Sequence, residues 1–212
     1  MDIIEKYFSD FTPQQQQQFA GLKDLYIEWN EKINVISRKD MDHFYEHHVL
    51  HSLAIATEFE FTNDMQVMDL GSGGGFPGIP LAIFFPQTNF HLVDSINKKL
   101  TVAREIAGAI GLKNLTVQHA RAEDIRDRKF DVVVSRAVAP LKDLWIWSKP
   151  LLRKRKNSVE GKATPNGLIC LKGGDLGQEI SESGCKPLVW EIEKIFTEKF
   201  FFEKFLLYIQ NR

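Results

Sequence analysis

The sequence predicts an α/β fold in which a doubly wound, mostly parallel sheet of about seven strands follows an N-terminal helical segment. Three observations predict it. After residue 65, short apolar runs of strand length alternate four times with stretches of helical periodicity. A glycine-rich segment, residues 71–78, directly follows the first run. Residues 130–135 form a continuous valine-rich run, which is typical of a parallel strand buried on both faces.

The first 64 residues are predicted to be helical. Thr12-Pro13 indicates a helix over 13–30, because threonine is a good N-cap and proline is favoured at the first helical position. Apolar residues recur there at helical spacing. Further helices are expected over 2–9 and 40–58. We therefore expect a helical segment, residues 1–64, packed on a domain that spans residues 65–212.

The remaining elements follow in order along the chain. Strands are expected over residues 65–70, 89–94, 115–119, 130–135, 167–172, 187–196 and 201–209, the last two antiparallel. Helices are expected over 77–85, 96–110, 140–152 and 176–182. Gly111 closes the second of these, since glycine is favoured just past a helix end. The basic, polar stretch 153–165 is expected to be a mobile loop.

Composition excludes several classes of protein. The 212 residues are 43% hydrophobic and 26% charged, which is ordinary for a globular chain. Two cysteines cannot build a disulfide framework, so free thiols are expected. No apolar run is long enough for a transmembrane helix, and the acidic start does not resemble a secretory signal. We expect a cytoplasmic protein with no membrane partner.

The net charge of −1 conceals an uneven distribution. Residues 1–64 carry 12 acidic and 5 basic side chains, whereas residues 65–212 carry 16 and 22. Several basic side chains lie near the predicted strand ends: Arg38, Lys39, Lys98, Lys99, Arg121, Arg136, Lys142 and Lys172. If they converge on phosphates, nucleic acid is a candidate partner.

The sharpest functional signal is the segment VMDLGSGGGFPG, residues 67–78. Its glycines permit positive φ and a close approach of backbone to ligand at the end of the first strand. A dinucleotide loop would need glycine where the chain has Phe76, and no P-loop lysine follows. Asp69 would repel a pyrophosphate but suits a cationic amino group, such as that of S-adenosylmethionine.

Two further signals end the second and third predicted strands. Asp94 can accept hydrogen bonds from both hydroxyls of a ribose. The segment Arg121-Ala122-Glu123-Asp124 follows the third strand, where a doubly wound sheet places the adenine. Together with the glycine loop, these residues predict S-adenosylmethionine as the cofactor.

The stretches DLGSGGGFPGIPLAI, HLVDSINKK, RAED and DVVVSRAVAP closely resemble the glucose-inhibited division protein B family. WNEKINVIS, HHVLHSLAIA and LKGG also fit its pattern, so the resemblance covers about residues 25–175. The family consists of bacterial methyltransferases that act on guanine N7 in 16S small-subunit ribosomal RNA. The resemblance implies a Rossmann-like methyltransferase sheet, a monomer, and ribosomal RNA or the 30S particle as partner.

The family pattern also implies roles for individual residues. With Asp69, Gly73 and Asp94, the expected cofactor site comprises Gly71, Phe76, Ala122, Glu123 and Arg136. Gly71 and Phe76 would line it through backbone and ring, and Ala122 and Glu123 would flank the adenine. Arg136 would face the cofactor carboxylate or the RNA and is the candidate catalytic residue. Two positions depart from the pattern, because His51 replaces a frequent acidic residue and Lys204 a usual arginine.

Guanine N7 has a lone pair and no proton to lose, so the enzyme needs to align and desolvate rather than supply a base. Methylation of a pyrimidine carbon would need a cysteine nucleophile, and neither Cys170 nor Cys185 follows a proline. The adenine-methylating Asn/Asp-Pro-Pro motif is replaced by Ser135-Arg136-Ala137-Val138. Lys172 and Glu203 leave ribose methylation open.

Two alternatives remain at this point. The same fold could act on another RNA position, a protein or a small molecule. The chain could instead be a nucleotide-dependent oxidoreductase or a binding module, although Phe76 in place of the third glycine disfavours this. His43, His47, His48 and His51 lie at helical spacing, but no cysteine cluster or HExxH motif accompanies them, so no metal site is expected.

Overall fold

The computed structural model describes residues 1–136, 138–154 and 164–211. Across these ranges seven strands form one sheet in the order β3-β2-β1-β4-β5-β7-β6. They are β1 (Gln66–Leu70), β2 (Asn89–Asp94), β3 (Leu115–His119), β4 (Val132–Arg136), β5 (Gly167–Gly173), β6 (Leu188–Glu191) and β7 (Lys204–Gln210). The predicted fold class is confirmed.

The first five strands are parallel, and β7 is antiparallel to both β5 and β6. The predicted antiparallel pairing of the last two strands is therefore confirmed. The strand order reverses between β1 and β4, which are direct neighbours. In a doubly wound sheet this reversal opens a crevice beyond the carboxyl ends of the strands, where ligands bind.

The helices cover both faces of the sheet. They are α1 (Asp2–Glu5), α2 (Pro13–Lys32), α3 (His51–Glu58), α4 (Gly78–Phe84), α5 (Asn97–Ala109), α6 (Leu141–Ser148) and α7 (Gly177–Ser183). The Thr12 side chain accepts a hydrogen bond from the Gln15 amide, and the Gln15 side chain accepts one from the Thr12 amide. This capping box explains why α2 begins where the sequence predicts.

Alternation along the strands divides the core into two layers. Val67 of β1 and Ile169 of β5 face a layer that includes Phe19 and Tyr26 of α2. Met68 of β1 faces the opposite layer, together with Leu144 of α6. The N-terminal helices therefore share a core with the sheet. The division into residues 1–64 and 65–212 stays a prediction.

The structure corrects the bounds of three elements. The helix expected over 40–58 consists of turns, a π-helix (Tyr45–Leu50) and α3. Ser37 and Asp40 exchange side-chain hydrogen bonds that favour a turn over a helix there. The helix expected over 2–9 covers only α1. The strand expected over 187–196 ends at Glu191, because the chain turns to bury Ile192 and Phe196.

Other predictions concern single features. Gly111 adopts a positive φ of 72° just after α5, as expected at a helix end. Cys170 and Cys185 are free thiols, which confirms that prediction. Among the described residues, no helix is long and apolar enough to cross a membrane. Of the loop expected over 153–165, residues 155–163 lie outside the described residues.

Candidate functional site

The glycine loop after β1 lies at the carboxyl edge of the sheet and is tied to β2. The amides of Gly71 and Ser72 both donate to the Val93 carbonyl, at 2.8 and 3.2 Å. Gly71 has a φ of +70°, and a Cβ there would meet the Val138 side chain at 2.7 Å. Val138 therefore packs against the first turn of the loop, which only glycine fits.

Gly73 differs from its neighbours in the loop. Its φ is +55°, yet a Cβ at this position would have no heavy atom within 4 Å. A side chain would therefore project into open space rather than into the protein. Open space beside the backbone is what a ligand needs for close approach at this edge of the sheet.

Asp69 is fully buried beneath the loop. Its Oδ2 accepts a hydrogen bond from the Gly78 amide at 2.7 Å, and its Oδ1 has no partner within the described ranges. Burial raises the pKa of Asp69 to about 7, against the lowering effects of the Gly78 amide and the Arg136 guanidinium. A buried acceptor without a donor fits a ligand that brings a cationic amino group.

Asp94 connects the end of β2 to the same loop. Its Oδ2 accepts from the Gly73 amide and its Oδ1 from the Ile96 amide, both at 2.8 Å. Asp69 of β1 and Asp94 of β2 thus both accept hydrogen bonds from backbone amides of residues 71–78. A ribose at Asp94 would share or replace these backbone donors.

Arg136 ends β4 and contacts the loop from the other side. Its guanidinium carbon lies 4.9 Å from the Phe76 ring centroid. Nη1 donates to the His47 carbonyl at 3.4 Å, and Nη2 lies 3.1 Å from His48 Nδ1. Burial and the nearby Arg136 lower the pKa of His48 to about 3, so Nδ1 of the neutral ring accepts. Burial lowers the pKa of Arg136 to about 10, which leaves it charged at neutral pH.

The Phe76 ring is only 4% exposed and belongs to an aromatic cluster. It packs against the rings of Tyr26, His48 and Phe44, at centroid distances of 4.9, 5.1 and 6.0 Å. A ligand in the loop would therefore meet chiefly the backbone of Phe76, not the ring face expected from the family pattern.

Tyr26 is a part of the site that the sequence reasoning missed. Its hydroxyl donates to the Gly74 carbonyl at 2.7 Å in a buried position. In the sequence, its position on the apolar stripe of α2 predicts only a core residue. The residue type does predict a polar contact, because the hydroxyl of a buried tyrosine usually finds a hydrogen-bond partner.

Ala122 and Glu123 lie in a 3-10 turn, Ala122–Asp124, directly after β3. Ala122 is buried in the layer that also contains Leu70 and Val93, which lie at the ends of β1 and β2. Glu123 is exposed. Both therefore sit at the same edge of the sheet as the glycine loop.

The basic residues expected near the strand ends differ in how exposed they are. Arg38, Lys39, Lys98, Arg121 and Lys142 are exposed. Lys172 is not available to a phosphate, because it is 8% exposed, pairs with Glu179 at 2.7 Å and donates to the Ala139 carbonyl. The expectation that Lys172 joins a phosphate-binding set is therefore wrong. Because Lys172 pairs with Glu179, it is also not available to act with Glu203 in ribose methylation.

The two departures from the family pattern lie close together. The buried ring of His51 makes edge contacts with Phe200 and Phe201, and Lys204 Nζ lies 5.4 Å from the Phe200 centroid. Burial, Arg136 and Lys204 together lower the pKa of His51 well below its usual value. The position at which the family pattern often has an acidic residue thus holds a neutral histidine, near the charges of Arg136 and Lys204.

Known proteins resemble this chain in sequence and in structure. The family model GidB, rRNA small subunit methyltransferase G, matches residues 15–197. A relative named ribosomal RNA small subunit methyltransferase G, from Phocaeicola vulgatus, is 57% identical over 99% of this chain and 98% of its own length. One with the same name, from Cytophaga hutchinsonii, is 47% identical over 99% of both chains.

Solved structures share the fold at low sequence identity. A SAM-dependent methyltransferase from Aquifex aeolicus has a TM-score of 0.53 and 16% identity, over 84% of this chain and all of its own. A mutant of MtNAS in complex with S-adenosylmethionine has a TM-score of 0.59 and 13% identity, over 93% and 76%. The sequence matches confirm the resemblance carried by the glycine loop, and the chain belongs to the rRNA small subunit methyltransferase G family.

Proposed function

We propose that this chain transfers a methyl group from S-adenosylmethionine to N7 of a guanine in 16S small-subunit ribosomal RNA. The observation that carries the proposal is the family match over residues 15–197, supported by a relative 57% identical across nearly the whole chain. Membership makes the chain an S-adenosylmethionine-dependent methyltransferase. The intact glycine loop between Asp69 and Asp94 supports this from the geometry.

The residues present fit the cofactor. Asp69 offers a buried oxygen, unpartnered within the described ranges, to the amino group, and Gly73 offers open backbone. In this proposal Gly71, Gly73 and the backbone of Phe76 line the methionine part, and Asp94 accepts from the ribose. Ala122 and Glu123 flank the adenine, and Arg136 faces the cofactor carboxylate or the RNA.

S-adenosylmethionine supplies a methyl group made electrophilic by the sulfonium. Guanine N7 attacks with its lone pair and loses no proton, so the chain needs no general base. Positive charge develops on the guanine, and a guanidinium does not stabilise it. Arg136 is therefore better suited to holding a carboxylate or phosphate than to contacting N7. Its part-buried contacts with His47 and His48 preorganise it for that task.

The substrate surface is proposed from charge. Exposed basic residues near the carboxyl edge suit phosphates, with Lys172 excluded by its ion pair. The small ribosomal subunit, a monomeric state, a cytoplasmic location and a reaction without metal are parts of the proposal that the sequence first suggested.

Two titrations test the proposal against its rivals. S-adenosylmethionine should bind to the purified chain and NAD should not. Binding of NAD without S-adenosylmethionine would favour a nucleotide-dependent oxidoreductase and contradict the proposal. Transfer should then require small ribosomal subunits or their RNA, with activity that falls steeply as salt rises. Activity on free small substrates with little salt dependence would favour the alternative acceptor.

A further inference from the structure

The segment between α2 and α3 brings together two histidines and a carboxylate outside the cofactor site. One potential ligand atom from each of His43, Glu46 and His47 lies within 4.8 Å of the others. Glu46 and His47 lie in the π-helix, and His43 lies two residues before it, so the three are spaced i, i+3 and i+4. The two imidazole rings are stacked, with centroids 4.8 Å apart, so a shared cation requires the exposed His43 ring to turn until its lone pair points to the same place as that of His47. All three side chains reach solvent at least in part.

His47 is oriented from two directions. Its Nδ1 lies 3.0 Å from Asp40 Oδ1, and Asp40 Oδ2 accepts from the Ser37 hydroxyl at 2.6 Å. The Phe200 ring stacks on its face at 3.9 Å and 14°. A carboxylate on one ring nitrogen fixes the ring and leaves Nε2 for another partner, which is the usual support of a metal-binding histidine.

We propose that His43, Glu46 and His47 bind one divalent first-row transition cation, with Asp40 as the residue that orients His47. Two imidazole nitrogens and one carboxylate suit Zn²⁺, Co²⁺ or Ni²⁺. Mg²⁺ and Ca²⁺ prefer all-oxygen ligands and are not expected to compete. The sequence predicted no metal site, because no cysteine cluster or HExxH motif accompanies the histidines; the local spacing does not reveal the contact between Asp40 and His47.

The site adjoins the methyltransferase site through one backbone group. The His47 carbonyl accepts the hydrogen bond from Arg136 Nη1. A cation on the His47 side chain would restrain the segment that positions this carbonyl. Binding to the native chain alone would also raise the melting temperature, because a ligand that prefers the folded state stabilises it.

Metal binding to the untagged chain tests the proposal. Titration with Zn²⁺ by calorimetry, and with Co²⁺ by visible absorption, should show one site per chain. His43→Asn and Glu46→Gln should each weaken Zn²⁺ binding at least about tenfold, and Asp40→Asn about 10- to 100-fold. His119→Asn is the matched control, since this exposed histidine bonds the Ser95 carbonyl away from the cluster.

Three outcomes would overturn the site. These are no saturable Zn²⁺ binding, wild-type affinity in His43→Asn and Glu46→Gln, or equal loss in His119→Asn. Melting curves without metal separate unfolded variants from folded ones, and the exposed position of His43 makes its variant the safest. Because the readout is metal binding, failure of the site leaves the methyltransferase proposal intact, and failure of methyl transfer leaves the site intact.

Discussion

The guanidinium of Arg136 lies over the face of the Phe76 ring, 4.9 Å from its centroid. This contact joins the end of β4 to the glycine loop across the reversal point of the sheet. A cation over an aromatic face is favourable, more so when both groups are desolvated. Arg136 thus stabilises the glycine loop, and its two terminal nitrogens contact the His47 carbonyl and His48 Nδ1.

Replacement of Arg136 by alanine should lower turnover by at least about tenfold in a folded protein, because it removes a positioned cation. A tenfold loss corresponds to a rise of about 1.4 kcal/mol in the activation free energy. Lysine should rescue only partly, because it keeps the charge but not the two-nitrogen fork. Single-turnover kinetics with saturating cofactor would measure the loss. Arg104→Ala, an exposed arginine on α5, is the control. Unaltered kinetics in Arg136→Ala would remove Arg136 from the proposed machinery.

Gly73→Arg should abolish cofactor binding, because its side chain would occupy the open space above the loop. Gly111 also has a positive φ and no atom within 4 Å of a Cβ, but it lies after α5. Gly111→Arg therefore carries the same backbone strain of about 1–2 kcal/mol. Calorimetric titration with S-adenosylmethionine should show loss in the first variant alone. Equal affinity in two folded variants would contradict the placement of the cofactor.

Tyr26→Phe should weaken cofactor binding, since it removes the donor to the Gly74 carbonyl and leaves that buried acceptor without its partner. The expected loss of stability is about 1–3 kcal/mol. Tyr45→Phe is the matched control, because the Tyr45 hydroxyl also donates to backbone carbonyls, those of Phe19 and Ala20, away from the loop. Fluorescence titration with S-adenosylmethionine should show weaker binding in Tyr26→Phe than in Tyr45→Phe. Identical affinities would mean that Tyr26 serves stability alone.

Asp69 should make the stability of the chain depend on pH. Its pKa in the folded state is about 7, above the ordinary 3.8, so the native chain retains a proton that the unfolded chain releases. The free energy of unfolding should therefore fall as pH rises from about 4 to about 7, by about 1.4 kcal/mol for each unit of pKa difference. Asp69→Asn should flatten this slope in urea denaturation series.

The same group should link proton release to cofactor binding. A cationic amino group favours the ionised carboxylate, so affinity for S-adenosylmethionine should rise with pH up to about 7. Asp69→Asn should bind more weakly and without this dependence. A wild-type pH profile in that variant would show that another group titrates.

The sequence predicted the sheet well because the signals for it are local. The valine run of β4, the glycine loop and the acid that ends β2 each identify an element from its own residues. Helix bounds failed where side chains compete with the backbone, as Ser37 and Asp40 do before the π-helix.

The site was predicted less completely, since its remaining contacts span long stretches of chain. Tyr26 reaches Gly74, and Arg136 reaches His47 and His48, through packing that no local spacing reveals. For Lys172 the local sequence predicted a functional role that the packing excludes. Its position near the end of β5 suggested a phosphate ligand, but it forms an ion pair with Glu179 on α7.

The most direct test of the proposed reaction is incubation with labelled S-adenosylmethionine and unmodified small ribosomal subunits, followed by mass spectrometry of the digested 16S RNA. One new N7-methylguanosine per subunit is expected, lost with Gly73→Arg and retained with Gly111→Arg. Label on another nucleotide, on a protein, or nowhere despite cofactor binding would contradict the assigned acceptor while leaving the cofactor site in place.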